Sequence, residues 1–175
     1  MVESNTTKIV KDDGSTIIIT WIKTSELTSY VPIKHVTGLC FDKNGNLLVI
    51  DELGEIKIPG GGPENNETLE QTLIRELQEE ANITVKDIRP LGVQKIEYPN
   101  NPNKKEGDLF YQCRYICLID ELLERSPDPE GTAIYPRKFI NKEEVLKQFR
   151  WGNSGVAMFN DAYFEYDKLI HKSPS

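Results

Sequence analysis

The chain reads as an α/β protein, and three patterns predict it. Strand-like alternation of apolar and polar residues recurs along its length, as in TTKIVKDDGSTIIITWIK and LFYQCRYICLI. A strongly helical run, ETLEQTLIRELQEEA, sits between such stretches, and two further helical segments fill the last third. The 175 residues suit one domain with a substantial core, residues 35–175, preceded by a short extension over residues 1–34. There is neither an apolar run of membrane length nor a signal-like N-terminus, so a soluble, cytoplasmic protein that contacts no membrane is expected. The formal net charge of −7 argues against nucleic-acid polymers as partners, because those need basic stripes.

The opening segment turns at Asp13-Gly14 and predicts a β-hairpin. It has two readings: an added sheet that supports a homodimer, or a strand pair covering an edge of the main sheet. HVTGLCF, beginning at His35, then leads through a DKNGN turn to LLVID and EIKI, a strand, turn and strand that deliver the chain to Gly60-Gly61-Gly62. After the helical run, TVKDIRPLGVQKIEY is extended, and YPNNPNKKEGD forms a loop. The strand from Leu109 follows, then an irregular stretch through SPDPEGT and a strand ending near Ile140. Asn141, with Glu144 three residues on, starts a helix, and a last helix runs from about Val156 to His171.

The helical run after the glycines carries the chemistry. It is expected to hold Glu67, Arg75, Glu76, Glu79 and Glu80, and at about 100° per residue Leu69, Leu73, Glu76 and Glu80 share one narrow arc. The carboxylates thus stand on the side that begins as core, with Leu77, Ile74 and Ala81 continuing the apolar stripe and Gln71 and Gln78 on the surface. Like charges one turn apart repel by a few tenths of a kcal/mol per pair. Something cationic must offset them, and a divalent ion with hard oxygen ligands is the simplest candidate. The three glycines let the backbone approach a ligand closely, although alone such a run is more readily a plain loop. Arg75 lies beside Glu79, where its planar fork can orient a carboxylate rather than bind metal.

Gly61, Glu67, Arg75, Glu76, Leu77, Glu79, Glu80 and Ile83 match the spacing G-x5-E-x7-R-E-U-x-E-E-x-G-U, with U aliphatic, and the chain therefore resembles the Nudix hydrolases. The match is specific over Ile58 to Ile83 and architectural from about Val36 to His171. It departs once, at Asn82 in place of glycine, where the residue closing the helix turns left-handed; asparagine tolerates that conformation next best. The resemblance implies an α/β/α sandwich with a mixed sheet that hydrolyses a diphosphate joined to another group, nucleoside diphosphate-X. It implies Mg2+ or Mn2+ held by Glu76 and Glu80, often with Glu79 and a carbonyl near Gly60, with Gly61 and Gly62 against the substrate. Glu79 is the expected proton acceptor, Arg75 a catalytic orienting group, and Glu67 a structural partner of the loop or of Arg75, alongside the structural Leu77, Asn82 and Ile83.

Substrate identity is less legible. A small nucleotide-like diphosphate is expected as partner. Tyr98, Phe110 and Tyr111 could stack on a base or simply pack, and Lys104, Lys105 and Arg114 could meet phosphate or, for the lysines, face solvent. Many relatives also recruit an acidic residue from a late strand or loop; around Arg137 and Lys138, where it would be sought, the sequence is basic, and Asp128 and Glu130 in the irregular stretch just before could substitute. Cys113 and Cys117, about 13 Å apart along one strand, cannot bridge, and with Cys40 they read as small core residues of a reducing compartment. Two other classes compete with a hydrolase. A non-hydrolytic nucleotide-sensing module would be expected to lose motif glutamates that this chain keeps, and an isoprenoid diphosphate isomerase would want Cys and His residues poorly supplied here.

Overall fold

The computed structural model describes residues 5–103, 108–129, 131 and 133–171. The hairpin at the start is present as β1 (Thr6–Val10) and β2 (Thr16–Lys23), with Gly14 in the left-handed region at the turn. A 3-10 turn at Leu27–Ser29 leads into β3 (Ile33–Phe41), β4 (Leu47–Glu52), β5 (Glu55–Lys57) and the two-residue β6 (Gly60–Gly61). Then come α1 (Leu69–Ala81), the long strands β7 (Ile83–Tyr98) and β8 (Asp108–Leu122), β9 (Arg137–Ile140), α2 (Lys142–Gln148) and α3 (Gly152–Ile170).

The strands form one sheet in the order β1-β2-β7-β8-β3-β4-β5, with β6 on β3 and β9 on β4. Among the described residues β3 and β8 run parallel and the other pairs antiparallel, so the sheet is mixed, as expected. Alternation along β8 sends Cys113, Tyr115 and Cys117 into the core under α1, whereas Ile116 and Leu118 join the core under α2 and α3. The result is helix, sheet and helix in three layers. The hairpin extends the sheet, β2 pairing with β7, and β1 is left as an edge strand. Trp21 of β2 donates its indole N–H to Asp161 at 2.8 Å, fixing the hairpin to α3. Among the described residues no helix is long and apolar enough to cross a membrane.

The structure corrects several local expectations. Glu67 is not on the motif helix: Thr68 is its N-cap, accepting from the Gln71 N–H while the Gln71 side chain accepts from the Thr68 N–H, a capping box worth about 1 kcal/mol. Gln71 is exposed, as expected, and serves as the cap partner as well. Leu73, Leu77 and Ala81 are buried, but Ile74 is 39% exposed. It lies at the flank of the stripe, whereas Ala81, at nearly the same angle, is buried in the core under α1 with Leu77 and Ile83. The final helix starts at Gly152, four residues before the expected Val156, since Trp151 already turns the chain. All three cysteines are free and buried. Parallel register sets Cys40 opposite Cys117 with 3.0 Å between sulfurs, a pairing that spacing along one strand cannot reveal.

Candidate active site

The two glycines of β6 are required by close approach. β6 pairs with β3, Thr37 opposite Gly60 and Val36 opposite Gly61, and a Cβ on Gly60 would lie 2.2 Å from the Val36 carbonyl oxygen. A Cβ on Gly61 would lie 2.1 Å from Glu76 Oε1, so the loop lets the motif helix press its carboxylate against backbone. One turn on, Glu80 Oε2 accepts from the Gly60 N–H at 2.8 Å.

Arg75 organises the other acids. It holds Glu67 with two bonds, Nε to Oε1 at 2.8 Å and Nη2 to Oε2 at 3.1 Å, and reaches Glu76 at 2.7 Å, Glu79 at 3.0 Å and the Gly62 carbonyl at 3.0 Å. The Arg75 hydrogen bond draws the Glu67 carboxyl down to about 2, and Arg75 in turn is held firmly protonated. Burial raises the Glu76 carboxyl against the pull of Arg75. Burial also pushes Glu80 up to about 7; the Gly60 N–H opposes it, while Glu76, Asp128 and Glu52 add repulsion. In this structure, then, Arg75 is the cation that offsets the crowded carboxylates.

Two cavities meet at these groups. The smaller, roughly 340 Å³, lies beside Gly60, Gly61 and Gly62 and is lined by Arg75, Glu76, Glu79, Glu80 and Asp128. The larger, roughly 730 Å³, opens on the α3 face of the sheet and shares Gly60, Glu79, Glu80 and Asp128 with it. Its remaining wall has an apolar part, with Ile50, Ile56, Ile58, Tyr135 and Trp151, and a polar part, with His35, Thr37, Gln112 and Arg114. Its size suits a nucleotide-sized ligand. Among the described residues no three His, Cys, Asp or Glu side chains stand close enough together to cage an ion as they are. The donor set nevertheless fits Mg2+ or Mn2+: hard oxygens only, with Glu80 pushed up to about 7 by burial and then by its carboxylate neighbours, around a backbone cradle that a side chain on Gly61 would fill.

The other expected site residues divide. Arg114 is in the cavity wall. Tyr98 is not: its hydroxyl hydrogen-bonds Ser15 at 2.9 Å, and its ring lies under Lys11. Phe110 lies under Lys34, and Tyr111 packs on Tyr30 with ring centroids 5.2 Å apart. Strand direction explains this, because Tyr98 and Phe110 stand at the end of β7 and β8 that meets the hairpin turn, where Asn100 accepts from the Thr16 N–H. Asp128 lines both cavities. Lys104, Lys105 and Glu130 lie outside the described residues. Nothing in the sequence pointed to Trp151, Tyr135, His35 and Gln112 as lining the cavity.

A family model for the NUDIX domain matches residues 32–158. The chain belongs to the NUDIX family. Nudix-type hydrolase is thus its enzyme class, and the matched span begins at β3 and ends within α3, leaving the hairpin outside it. No curated protein sequence matches the chain. Solved structures share the fold at low identity. A Bacillus subtilis pyrophosphohydrolase aligns with a TM-score of 0.63 at 17% identity, covering 94% of this chain and 99% of its own. The NUDIX domain of Shewanella oneidensis NrtR, complexed with ADP ribose, aligns at 0.54 and 18% identity over 79% of this chain and 92% of its own. A C. elegans Ap4A hydrolase aligns at 0.51 and 17% identity over 78% and 98%.

At the position where the Nudix signature has glycine, Asn82 is left-handed at φ 47° and ψ 56° and 5% exposed. Its amide donates to the Gln78 carbonyl at 2.8 Å and to Ser126 Oγ at 3.0 Å. Its oxygen accepts from Arg125 at 2.9 Å and from the Ser126 N–H at 3.0 Å. The departure keeps the cap and also ties down the segment that leads to Asp128.

Proposed function

We propose that this chain is a metal-dependent pyrophosphohydrolase of nucleoside diphosphate-X compounds, with water attacking phosphorus. The observation that carries the reading is the wall shared by the two cavities, where Glu79, Glu80 and Asp128 face both the glycine cradle and a space large enough for a nucleotide.

Glu76, Glu79, Glu80 and the Gly60 carbonyl would hold Mg2+ or Mn2+, which when bound neutralises phosphate charge and makes a bound water more acidic. The chain's own groups do the rest. Glu79, on both cavity walls, accepts the proton of the attacking water. Arg75 keeps Glu79 and Glu76 oriented through its bonds to both, and Glu67 fixes Arg75 by taking two of its donors. Gly61 and Gly62 leave room for the diphosphate to lie against backbone. Trp151 and Tyr135 offer the base an aromatic wall, the role expected of Tyr98. Arg114 meets an anionic part of the substrate at the opposite wall.

The test is release of monophosphate from a panel of ADP-ribose, nucleoside triphosphates, dinucleoside polyphosphates and sugar nucleotides, with Mg2+ and with chelator. Turnover of at least one member with Mg2+ and none with chelator is expected. Turnover that persists in chelator contradicts the metal dependence, and tight binding without turnover across the panel moves the chain to the nucleotide-sensing reading.

A further inference from the structure

Arg114 is buried without a counter-charge. It is 4% exposed in the middle of β8, yet it belongs to the wall of the larger cavity. Its Nη1 donates to Thr37 Oγ1 at 2.7 Å and to the Cys113 carbonyl at 3.5 Å, and its Nη2 donates to Gln94 at 2.5 Å and Gln112 at 2.7 Å. Nε has no partner. Every acceptor is neutral, and among the described residues no carboxylate pairs with it. Burial accordingly pulls the guanidinium down to about 10. An isolated buried charge costs several kcal/mol unless something compensates it.

Among the described cations of that wall, Lys57 has a carboxylate partner and Arg125, though its acceptors are neutral too, is placed against the helix end. Lys57 is paired with Glu52 and reaches Glu55. Arg125 donates to the Glu80 carbonyl at the negative end of α1 and to Tyr135 and Asn82. His35 is lowered by burial and then by Arg114, so it is neutral at physiological pH. Thr37, which bonds Arg114, is also the strand partner of Gly60, whose N–H holds Glu80. Adjacent strands are about 4.8 Å apart, so Arg114 on β8 stands two strand spacings, about 10 Å along the sheet, from the glycine cradle on β6.

Resting on the proposed pyrophosphohydrolase activity, we propose that Arg114 receives an anionic group of the substrate that lies beyond the diphosphate held at the glycine cradle, so that X carries a further phosphoryl rather than being a neutral sugar. The neutral ring of Thr37, Gln94 and Gln112 holds the fork in place without neutralising it, and leaves its charge for the ligand.

Two measurements test this. In the first, kcat/KM with Mg2+ is compared for nucleoside triphosphates or dinucleoside polyphosphates and for sugar nucleotides. Wild type is expected to favour the phosphoryl-bearing group, and Arg114→Met to shrink that ratio about tenfold or more, with Arg114→Lys between the two. A wild-type preference for sugar nucleotides, or a ratio unchanged in Arg114→Met, overturns the assignment. In the second, inorganic pyrophosphate is titrated into the full-length protein in chelator, where the carboxylates repel anions. Binding by wild type that weakens about tenfold in Arg114→Met supports the site; no binding by wild type, or equal binding by both, overturns it. The second measurement needs no turnover, so it decides on Arg114 even if hydrolysis fails. Should Arg114→Met not fold, Arg114→Lys takes its place in the same titration, with weakened binding expected and unchanged binding overturning the site.

Discussion

Glu79 is the proposed proton acceptor, and its surroundings show how to test it. Its carboxylate is half-exposed on the wall common to both cavities and is held at 3.0 Å by Arg75, a bond that an amide oxygen can still accept. Glu79→Gln therefore keeps the shape and the Arg75 contact while removing the base. Turnover should fall by about two to four orders of magnitude with KM changed only a few-fold. Steady-state kinetics showing near-normal kcat would remove Glu79 from that role and leave Asp128 as the carboxylate to examine. Arg75, Glu76, Glu79 and Glu80 were legible in the sequence because one helix sets their mutual placement, and helical spacing is local. Tyr98 was assigned to the substrate on its position beyond the motif, but position along a strand does not say which end of the sheet a ring occupies. Trp151 and Tyr135 reach the cavity only through tertiary packing, so no local pattern announced them.

At the level of elements, the end of α1 is the joint between the motif and the rest of the cavity. A glycine at position 82 would satisfy the left-handed backbone at least as well as asparagine, since it lacks the Cβ that makes this conformation costly. It would lose the four side-chain hydrogen bonds to Gln78, Arg125 and Ser126. Buried bonds of this kind are worth about 1 kcal/mol each net, more where a charged donor is involved, and the backbone gain offsets part of the loss. Asn82→Gly is expected to destabilise the protein by roughly 1–3 kcal/mol in urea unfolding. Stability equal to or above wild type would mean that backbone preference outweighs the side-chain hub. The sequence showed that asparagine could cap the helix; it could not show the segment around Ser126 folding back onto it, because that contact spans 44 residues.

Over the whole molecule, the strands, their helices and the mixed sheet followed from alternation and from the motif, whereas the two-residue β6 and the parallel pairing of β3 with β8 have no local signal. That pairing brings Thr37 beside Arg114 and, through β6, beside the carboxylates of α1, so the charge balance of the site is a property of the assembled sheet. It also sets how stability depends on pH. Glu80 holds its proton in the folded chain up to about 7, and Glu76 is raised in the same direction, whereas an unfolded glutamate releases its proton near 4.5. Between those values the folded state binds more protons than the unfolded state, so these groups make stability fall as pH rises. Glu67 works the other way at lower pH: its carboxyl, held at about 2, contributes stability that is present above about 4.5 and lost as pH falls through 2. In chelator, the melting temperature should therefore decline from about pH 5 to about pH 8, and Glu80→Gln should flatten that decline. Mg2+ needs the deprotonated carboxylates, so the rise in melting temperature it causes should be larger at about pH 8 than at about pH 5. A Mg2+ shift independent of pH, or a chelated protein that gains stability over the same interval, would show that the burial of Glu80 and Glu76 does not govern the protonation of the site.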